Sequence, residues 1–363
     1  MGKKTINSHV KQLIAGRSCN PKNSFKKYNE IGAGEYGKVY KACINDKCLD
    51  KIAVKNSSSN MSAEYLITKK LEKLGVPTMY GYDKCGNRDF LFSEFINGVT
   101  LKSFLEKRKQ NVDPDELKSI IIQVLYILYT IRKKYPSFRH HDLHLDNVMI
   151  MRKRTSTTKK IEIGDKTIEF DDAKLEVKLM DFGLATMDGV INPIVRESPV
   201  FKKDYGIYPR SDRAYDAHLF LGSLYASRGA APARRFIESL FTPNYLVKDS
   251  DVVKEYRLRS DVVHNLPMYT EIFNNPYFSK PKNSVKTFIN KIPLPAKKTV
   301  VVTKKKTTPV NQNKAKQKAM NILKKISNTK KAPVKAPTKA PVVKKPSLMK
   351  PPTKPLTVRG SPK

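Results

Sequence analysis

Five side chains able to bind a metal or move a proton fall within the seven residues His140 to Asp146, in the stretch FRHHDLHLDNVMI at 138–150. Two chemistries compete for them. A zinc site would have to draw His140, His141, His144 and Asp142 onto one point, which calls for helical or finger-like spacing. Pro136 stops a helix just before the cluster and an apolar run, VMIM, follows Asn147. The stretch therefore reads as a loop, with no cysteine or further histidine near it. The other chemistry is phosphoryl transfer. Asp142 and Asn147 have the D-x-x-x-x-N separation, which supplies a carboxylate to orient an attacking hydroxyl and an amide to hold Mg²⁺. Downstream, MDFG sets Asp181 after a strand-like run as a second magnesium ligand. Hard Mg²⁺ takes oxygen ligands of this kind and keeps its other positions for phosphate and water. The expected metal is magnesium, not zinc.

Two upstream features would complete such a site. IGAGEYGKV places glycines at 32, 34 and 37 between strand-like runs, where bare backbone N–H groups can approach phosphate oxygens. A dinucleotide fingerprint opens onto a helix. Here KVYKACI continues as strand, which favours the strand–turn–strand form used over ATP. IAVK then brings Lys55 out of the next strand, within reach of the α- and β-phosphates. It needs an acidic partner. Glu64 on the following helix is the first choice, ahead of Glu72 near the helix end and Glu35 at the loop tip.

These residues need a frame. Residues 26–60 carry strand patterning, and a helix is expected at 62–74, with Ser62 as its N-cap and Gly75 and Pro77 ending it. Short strands flank DKCGNR. In the next helix Asp113 is the cap, Pro114 takes the first position and Glu116 gives a capping-box-like spacing. Its apolar body runs to Ile131. Residues 152–174 are polar and charged, and LEVKLMDFG resumes strand alternation.

The chain has 363 residues, enough for a substantial core. Its 70 Lys and Arg against 33 Asp and Glu give a net charge of +37. From 281 onward there are 23 basic residues and no acid, leaving +14 for residues 1–280. The tail repeats Lys-Ala-Pro and is expected to be extended and disordered. Ala319, Ile322, Leu323 and Ile326 share a face there, as a transient or a docking helix. Such a tail favours polyanions, including non-specific nucleic acid held through phosphate contacts. A purely solubilising tail is the competing reading. Four cysteines, Cys19, Cys43, Cys48 and Cys85, without a C-x-x-C pair, suit a reducing, intracellular setting and give no disulfide framework. The N-terminus has no secretory apolar core, and Ile6 stands where myristoylation wants Ser or Thr. The apolar run at 120–131 is too short to span a bilayer. A soluble intracellular protein is expected.

In order along the chain, the glycine loop, AVK, HHDLHLDN and DFG make it resemble a divergent eukaryotic-type protein kinase over about residues 26–225. The resemblance implies an α+β, bilobal fold. A β-rich N-lobe would cover 26–96 and a mainly helical, trimmed C-lobe 97–285, with an inserted hairpin at about 152–174. Residues 1–25 would be a loosely held basic extension and 286–363 a disordered basic tail.

The resemblance also implies roles. Ile31, Val39 and Ala53 would line an adenine pocket from above and Met149 from below, although all four could equally be ordinary core residues. Gly32, Gly34 and Gly37 would cover the phosphates, and Ser93 falls at the gatekeeper position. Glu94 and Ile96 would offer hinge backbone groups. Lys55 and Glu64 would form the phosphate-holding pair, and Asp142 would serve the substrate hydroxyl. Asn147 and Asp181 would hold Mg²⁺, and Asp216 would brace the catalytic loop.

Several departures stand out. His141 occupies the place of an arginine that often grips an activation-segment phosphate, which counts against that form of regulation. His144 replaces a lysine that helps at the γ-phosphate. No Ala-Pro-Glu closes the activation segment. The DLH triplet is similar to haspin-type kinases and to aminoglycoside and choline kinases. The compact form with a Lys-Pro tail resembles Ser/Thr kinases of large DNA viruses, iridovirus-like ones in particular. The expected activity is ATP- and Mg²⁺-dependent transfer to Ser/Thr hydroxyls of proteins, in a host cytoplasm or virion if viral. The alternatives are a small-molecule phosphotransferase and a pseudokinase scaffold tethered to nucleic acid by the tail.

Overall fold

Alternating apolar and polar side chains build the first half of the fold. In the computed structural model, which describes residues 3–16, 19–34, 37–108, 112–197, 213–241 and 266–279, five antiparallel strands form one sheet. They are β1 (Lys27–Gly34), β2 (Gly37–Cys43), β3 (Lys51–Ser57), β4 (Met79–Cys85) and β5 (Arg88–Glu94), in the order β1-β2-β3-β5-β4. On β3, Ile52 and Val54 are fully buried on one face, while Ala53 and Lys55 are half-buried on the other. The two-residue period of a strand places Ala53 and Lys55 together.

Where a loosely held extension is expected within residues 1–25, the described residues 3–16 are packed against the sheet. Lys3–Ala15 form helix α1. Its Ile6, Val10, Leu13 and Ile14 recur at helical spacing and join Ile52, Val54, Phe90 and Phe92 in one apolar cluster. A Cβ on Gly81 of β4 would lie 2.5 Å from Ile14 Cδ1 and 3.0 Å from Val10 Cγ1. The missing side chain is what lets α1 lie so close to the strand. The cysteine reading is corrected too. Cys19 pairs with Cys85 and Cys43 with Cys48, with Cα separations of 5.4 and 4.8 Å. The first bridge joins residues 66 apart in sequence, a proximity made by folding that no local spacing shows.

Helix α2 (Ser62–Leu71) starts one residue earlier than a Ser62 cap would allow. Met61 is the N-cap, and Asn60 Oδ1 accepts from the Ser62 N–H at 3.0 Å and from its hydroxyl at 2.6 Å. The helix stops at Leu71, short of 74, and the chain turns through left-handed backbone at Lys73 and Gly75. After α3 (Leu101–Arg108) comes α4 (Pro114–Lys134), where Asp113 Oδ1 caps the N–H groups of Asp115 and Glu116 at 2.8 and 3.4 Å. The capping-box reading of Glu116 does not hold, because its carboxylate is taken by Arg108. Leu117, Ile121, Val124, Leu125 and Leu128 make α4 the spine of the main core.

Three strands lie beside it in the order β10-β7-β6: β6 (Val99–Thr100), β7 (Val148–Arg152) and β10 (Leu175–Leu179). Between β7 and β10 stands a hairpin of β8 (Thr158–Ile163) and β9 (Lys166–Asp171). It is polar on one face only, since Ile161, Ile163, Ile168 and Phe170 enter the main core. Buried Asp172 closes its base, accepting from the N–H groups of Thr157 and Lys174 at 3.1 Å each and pairing with Lys153.

The remaining described helices are α5 (Pro193–Glu197), α6 (Tyr215–Ala226), α7 (Arg234–Leu240) and α8 (Tyr269–Asn274). The fold is α+β, with a sheet-rich first lobe and a mainly helical second. Among the described residues no helix is long and apolar enough to cross a membrane. The chain divides into Met1–Thr287 and Phe288–Lys363. The Lys-Pro tail, with the face from Ala319 to Ile326, lies outside the described residues, as does the segment 198–212.

Candidate active site

Lys55 projects from β3 opposite Val39 of β2 and Leu91 of β5. Its Nζ donates to both oxygens of Glu64, at 3.0 and 2.9 Å, and to Asp181 Oδ1 at 2.9 Å. Glu64 reaches it from the first turn of α2. Glu72 is committed elsewhere, to Lys69 and the Met79 N–H. Burial works against the charge on Lys55, but the carboxylates of Glu64 and Asp181 outweigh it and raise its pKa above the ordinary lysine range. Burial would also raise Asp181, yet the adjacent ammonium holds its carboxyl below the ordinary range. Glu64 sits above that range because its burial outweighs the pull of Lys55.

The three glycines of the loop differ. Gly37 has φ +135°, and a Cβ there would meet the Asn56 carbonyl oxygen at 2.2 Å, so the strand pairing itself requires a glycine. At Gly32 and Gly34 a Cβ would meet nothing within 4 Å. Bare backbone at these two is not demanded by packing. Ile31 forms the irregularity in the β1–β2 register and is 51 % exposed. Val39, Ala53 and Met149 are half-buried; Ala53 and Met149 each stand between buried neighbours on β3 and β7, whereas Val39 lies between exposed Lys38 and half-buried Tyr40.

Asp216, in the first turn of α6, fixes the loop that opens on His140. Its Oδ2 and Oδ1 accept the backbone N–H groups of His140 and His141 at 2.8 and 2.9 Å. His140 stands with Nε2 3.1 Å from the Met180 carbonyl, so that nitrogen carries the proton. Its ring packs on Phe182 with centroids 4.9 Å apart. His141 instead turns Nε2 to the Thr186 hydroxyl at 2.9 Å. These two rings therefore point at different partners, not at one metal.

Further along, Asn147 Nδ2 donates to the Asp142 carbonyl at 2.7 Å and lies 3.3 Å from its Oδ2. That orientation turns the amide oxygen away from Asp142. Met180 N–H donates to the Asn147 carbonyl at 3.0 Å, which ties this loop to the residue before Asp181. On Asp181 the bonds from Lys55 and from the Gly183 N–H both fall on Oδ1. His144 Nε2 lies 3.6 Å from Asp142 Oδ2. Burial would lower the His144 pKa, but the bond to Asp142 and the charges of Asp142, Asp146 and Asp181 raise it above its ordinary value.

The site thus combines a lysine between two carboxylates, an Asp–Asn loop braced by Asp216 and an aspartate in left-handed backbone (φ +63°). Residues 25–191 match the family described as protein kinase domain. They form a divergent protein kinase domain. A protein of Acanthamoeba polyphaga mimivirus with a provisional serine/threonine-protein kinase name is 24% identical over 204 residues, covering 52% of this chain and 43% of its own. The Wee1-like protein kinase 2 of Xenopus tropicalis is 27% identical over 213 residues, covering 53% and 36%. A G-type lectin S-receptor-like serine/threonine-protein kinase of Arabidopsis thaliana is 27% identical over 175 residues, covering 46% and 19%. The chain thus spans less than half the length of these relatives.

Within the kinase domain, Glu94, expected to offer hinge backbone, is engaged through both its backbone and its side chain. Its N–H is spent on the Thr78 carbonyl at 2.8 Å, and its carboxylate pairs with Lys178 of β10. Three contacts escaped sequence reasoning: Lys178 with Glu94, His141 with Thr186, and the buried amide of Asn192 against the Asp181 turn. The first two join separate segments, and the third runs back over nine residues of irregular chain, so none carries a motif or a periodic spacing.

Proposed function

We propose that the chain transfers the γ-phosphoryl group of ATP to Ser or Thr hydroxyls of proteins. The observation that carries this reading is Lys55, placed between buried Glu64 and Asp181 on the accessible side of β3. A cation so clamped is pre-aimed at phosphate oxygens and need not reorganise when they arrive. The open space beside Gly32 and Gly34 supports the reading, since no packed atom stands where phosphate oxygens would approach the backbone.

The residues present suit Mg·ATP. Asp181 Oδ2 and Asn147 Oδ1 are the oxygens turned away from the protein contacts described above, and they are hard ligands of the kind magnesium takes. Magnesium bound there would offset charge on the phosphates during transfer. In this reading Lys55 holds the α- and β-phosphates. Asp142, kept in place by Asn147, orients the acceptor hydroxyl and takes its proton. His144, whose pKa its acidic neighbours raise, faces the transferred group. Ile31, Val39, Ala53 and Met149 hold the adenine ring, with backbone groups of Glu94 and Ile96 at its edge. The mimivirus relative supports a place among kinases of large DNA viruses.

The test is transfer of labelled γ-phosphate from Mg·ATP to a panel of proteins and small alcohols, with Asp181→Asn beside wild type. Labelled protein that acid hydrolysis resolves to phosphoserine or phosphothreonine, lost in Asp181→Asn, is the expected result. Label on a small alcohol, or equal label with the variant, would remove the proposal.

A further inference from the structure

Asn192 is 5 % exposed, and its side chain is fully engaged. Nδ2 donates to the carbonyls of Gly183 and Ala185, at 2.8 and 3.0 Å, and Oδ1 accepts from the Ile194 N–H at 3.1 Å. Two carbonyls on one side and an N–H on the other leave a single sensible orientation for the amide. Its backbone carbonyl accepts from the Arg196 N–H at 3.0 Å, so the residue also leads into α5.

The turn it grips needs outside support. Asp181 has φ +63°, a conformation that costs a non-glycine residue about 1 kcal/mol or more. Neither Gly183 nor Ala185 lies in a helix or strand that would pair its carbonyl. Thr186 exchanges backbone hydrogen bonds with Arg139, 2.9 Å each way, which fastens the far end of the turn to the catalytic loop. Asn192 reaches the Gly183 carbonyl itself, two residues from the aspartate.

We propose that Asn192 is a positioning residue of the metal-binding turn, its carboxamide holding the backbone at Gly183 and Ala185 so that Asp181 faces both Lys55 and a nucleotide-bound divalent cation. This rests on the kinase reading above. The bland alternative is that Asn192 only caps α5. Capping uses Oδ1 alone, and Asp or Ser supplies such an oxygen equally well. The two bonds to Gly183 and Ala185 need an N–H₂ group, which neither has. That difference separates the two roles.

The experiment uses the full chain as wild type, Asn192→Asp and Asn192→Ser. Both variants keep an acceptor for the Ile194 N–H and lose the two-carbonyl tie. Measured well below each variant's own melting temperature, kcat falls by about ten- to a hundredfold, the scale set by small misplacements of reacting groups. The KM for ATP moves less than kcat. The Mg²⁺ concentration for half-maximal rate rises several-fold, and excess Mg²⁺ restores part of the rate. Independently of turnover, Mn²⁺ affinity measured by electron paramagnetic resonance with a non-hydrolysable ATP analogue weakens in both variants. Wild-type kcat and Mg²⁺ midpoint in the variants would reduce Asn192 to a cap and overturn the proposal. So would a loss matching the unfolded fraction and untouched by excess Mg²⁺. If wild type transfers no phosphate but binds the Mn²⁺–nucleotide, the kinase reading falls, and the Mn²⁺ comparison alone decides for or against Asn192. If wild type binds neither, both fall.

Discussion

Lys55 Nζ lies 2.9 Å from Asp181 Oδ1, across 126 residues of chain. One ammonium group therefore joins the sheet of the first lobe to the turn that follows β10, and it does so with Glu64 already on its other side. Replacing it by methionine leaves Glu64 buried without a counter-charge, and burial then favours the protonated acid. Lys55→Met is expected to keep the fold and lower turnover by about 100- to 1000-fold, the range for losing one pre-aimed donor to a reacting group. Initial rates set beside circular-dichroism melts check this. Turnover close to wild type would sink the role given to Lys55.

The glycine loop should split into two behaviours. At Gly37 a Cβ would collide with the Asn56 carbonyl oxygen at 2.2 Å, so Gly37→Ala should cost about 1–3 kcal/mol of stability. At Gly34 there is open space, and Gly34→Ala should leave stability within about 0.5 kcal/mol while raising the KM for ATP. Denaturant titrations and ATP saturation curves on both variants separate fold from phosphate contact. A stable Gly37→Ala, or a Gly34→Ala with unchanged KM, would contradict this division.

Asp216 spends both oxygens on adjacent N–H groups. In Asp216→Asn one of those N–H groups faces an amide N–H₂, leaving a buried donor unmet at a cost of about 1–3 kcal/mol. The loop carrying Asp142 should loosen with it. Slowed turnover together with faster hydrogen exchange at His140 and His141 is the expected pattern, and wild-type exchange there would refute the bracing role.

Asp172 offers a pH test outside the site. Burial alone would raise its carboxyl, but hydrogen bonds from Lys153 and Thr157 hold it well below the ordinary value of 3.8. A depressed folded-state pKa contributes stability that is fully present above the ordinary value and drains away as the pH falls through the folded one. Asp172→Asn should cost about 2 kcal/mol at neutral pH, and the gap to wild type should narrow below about pH 4. Urea unfolding at a series of pH values measures it. A gap constant down to pH 3 would count against the linkage.

The partnership of Lys55 with Glu64 was legible because two regular periods meet there. A two-residue strand repeat turns Lys55 with Ala53, and the first turn of the next helix is the nearest place for an acid. The Asp142–Asn147 spacing was legible for a similar reason, being set within one short loop. What escaped was non-local or aperiodic. Cys19 with Cys85 and His141 with Thr186 each depend on how separate segments pack, while Asn192 bonds back over nine residues to Gly183 through irregular chain that no period marks. The helix at Lys3–Ala15 lies between these cases. Its apolar spacing at 6, 10, 13 and 14 was present, but the surrounding lysines and the want of a capping signal made it read as solvated chain. Ser62 and Glu116 show the same limit at finer scale, where a cap signature fits but Met61 and Arg108 take the competing positions.

The packing of α1 has a practical bearing on where this domain can be cut. Family likeness starts at residue 25, yet Val10 and Leu13 belong to the same apolar cluster as Ile52, Val54, Phe90 and Phe92. A fragment beginning at the family boundary would lay that aromatic and branched surface open to water and leave the Cys85 thiol without its mate. An uncovered sheet surface of this kind invites self-association. Helix α1 thus serves as a built-in cover for that surface, and a fragment meant to keep it covered must reach back to Lys3.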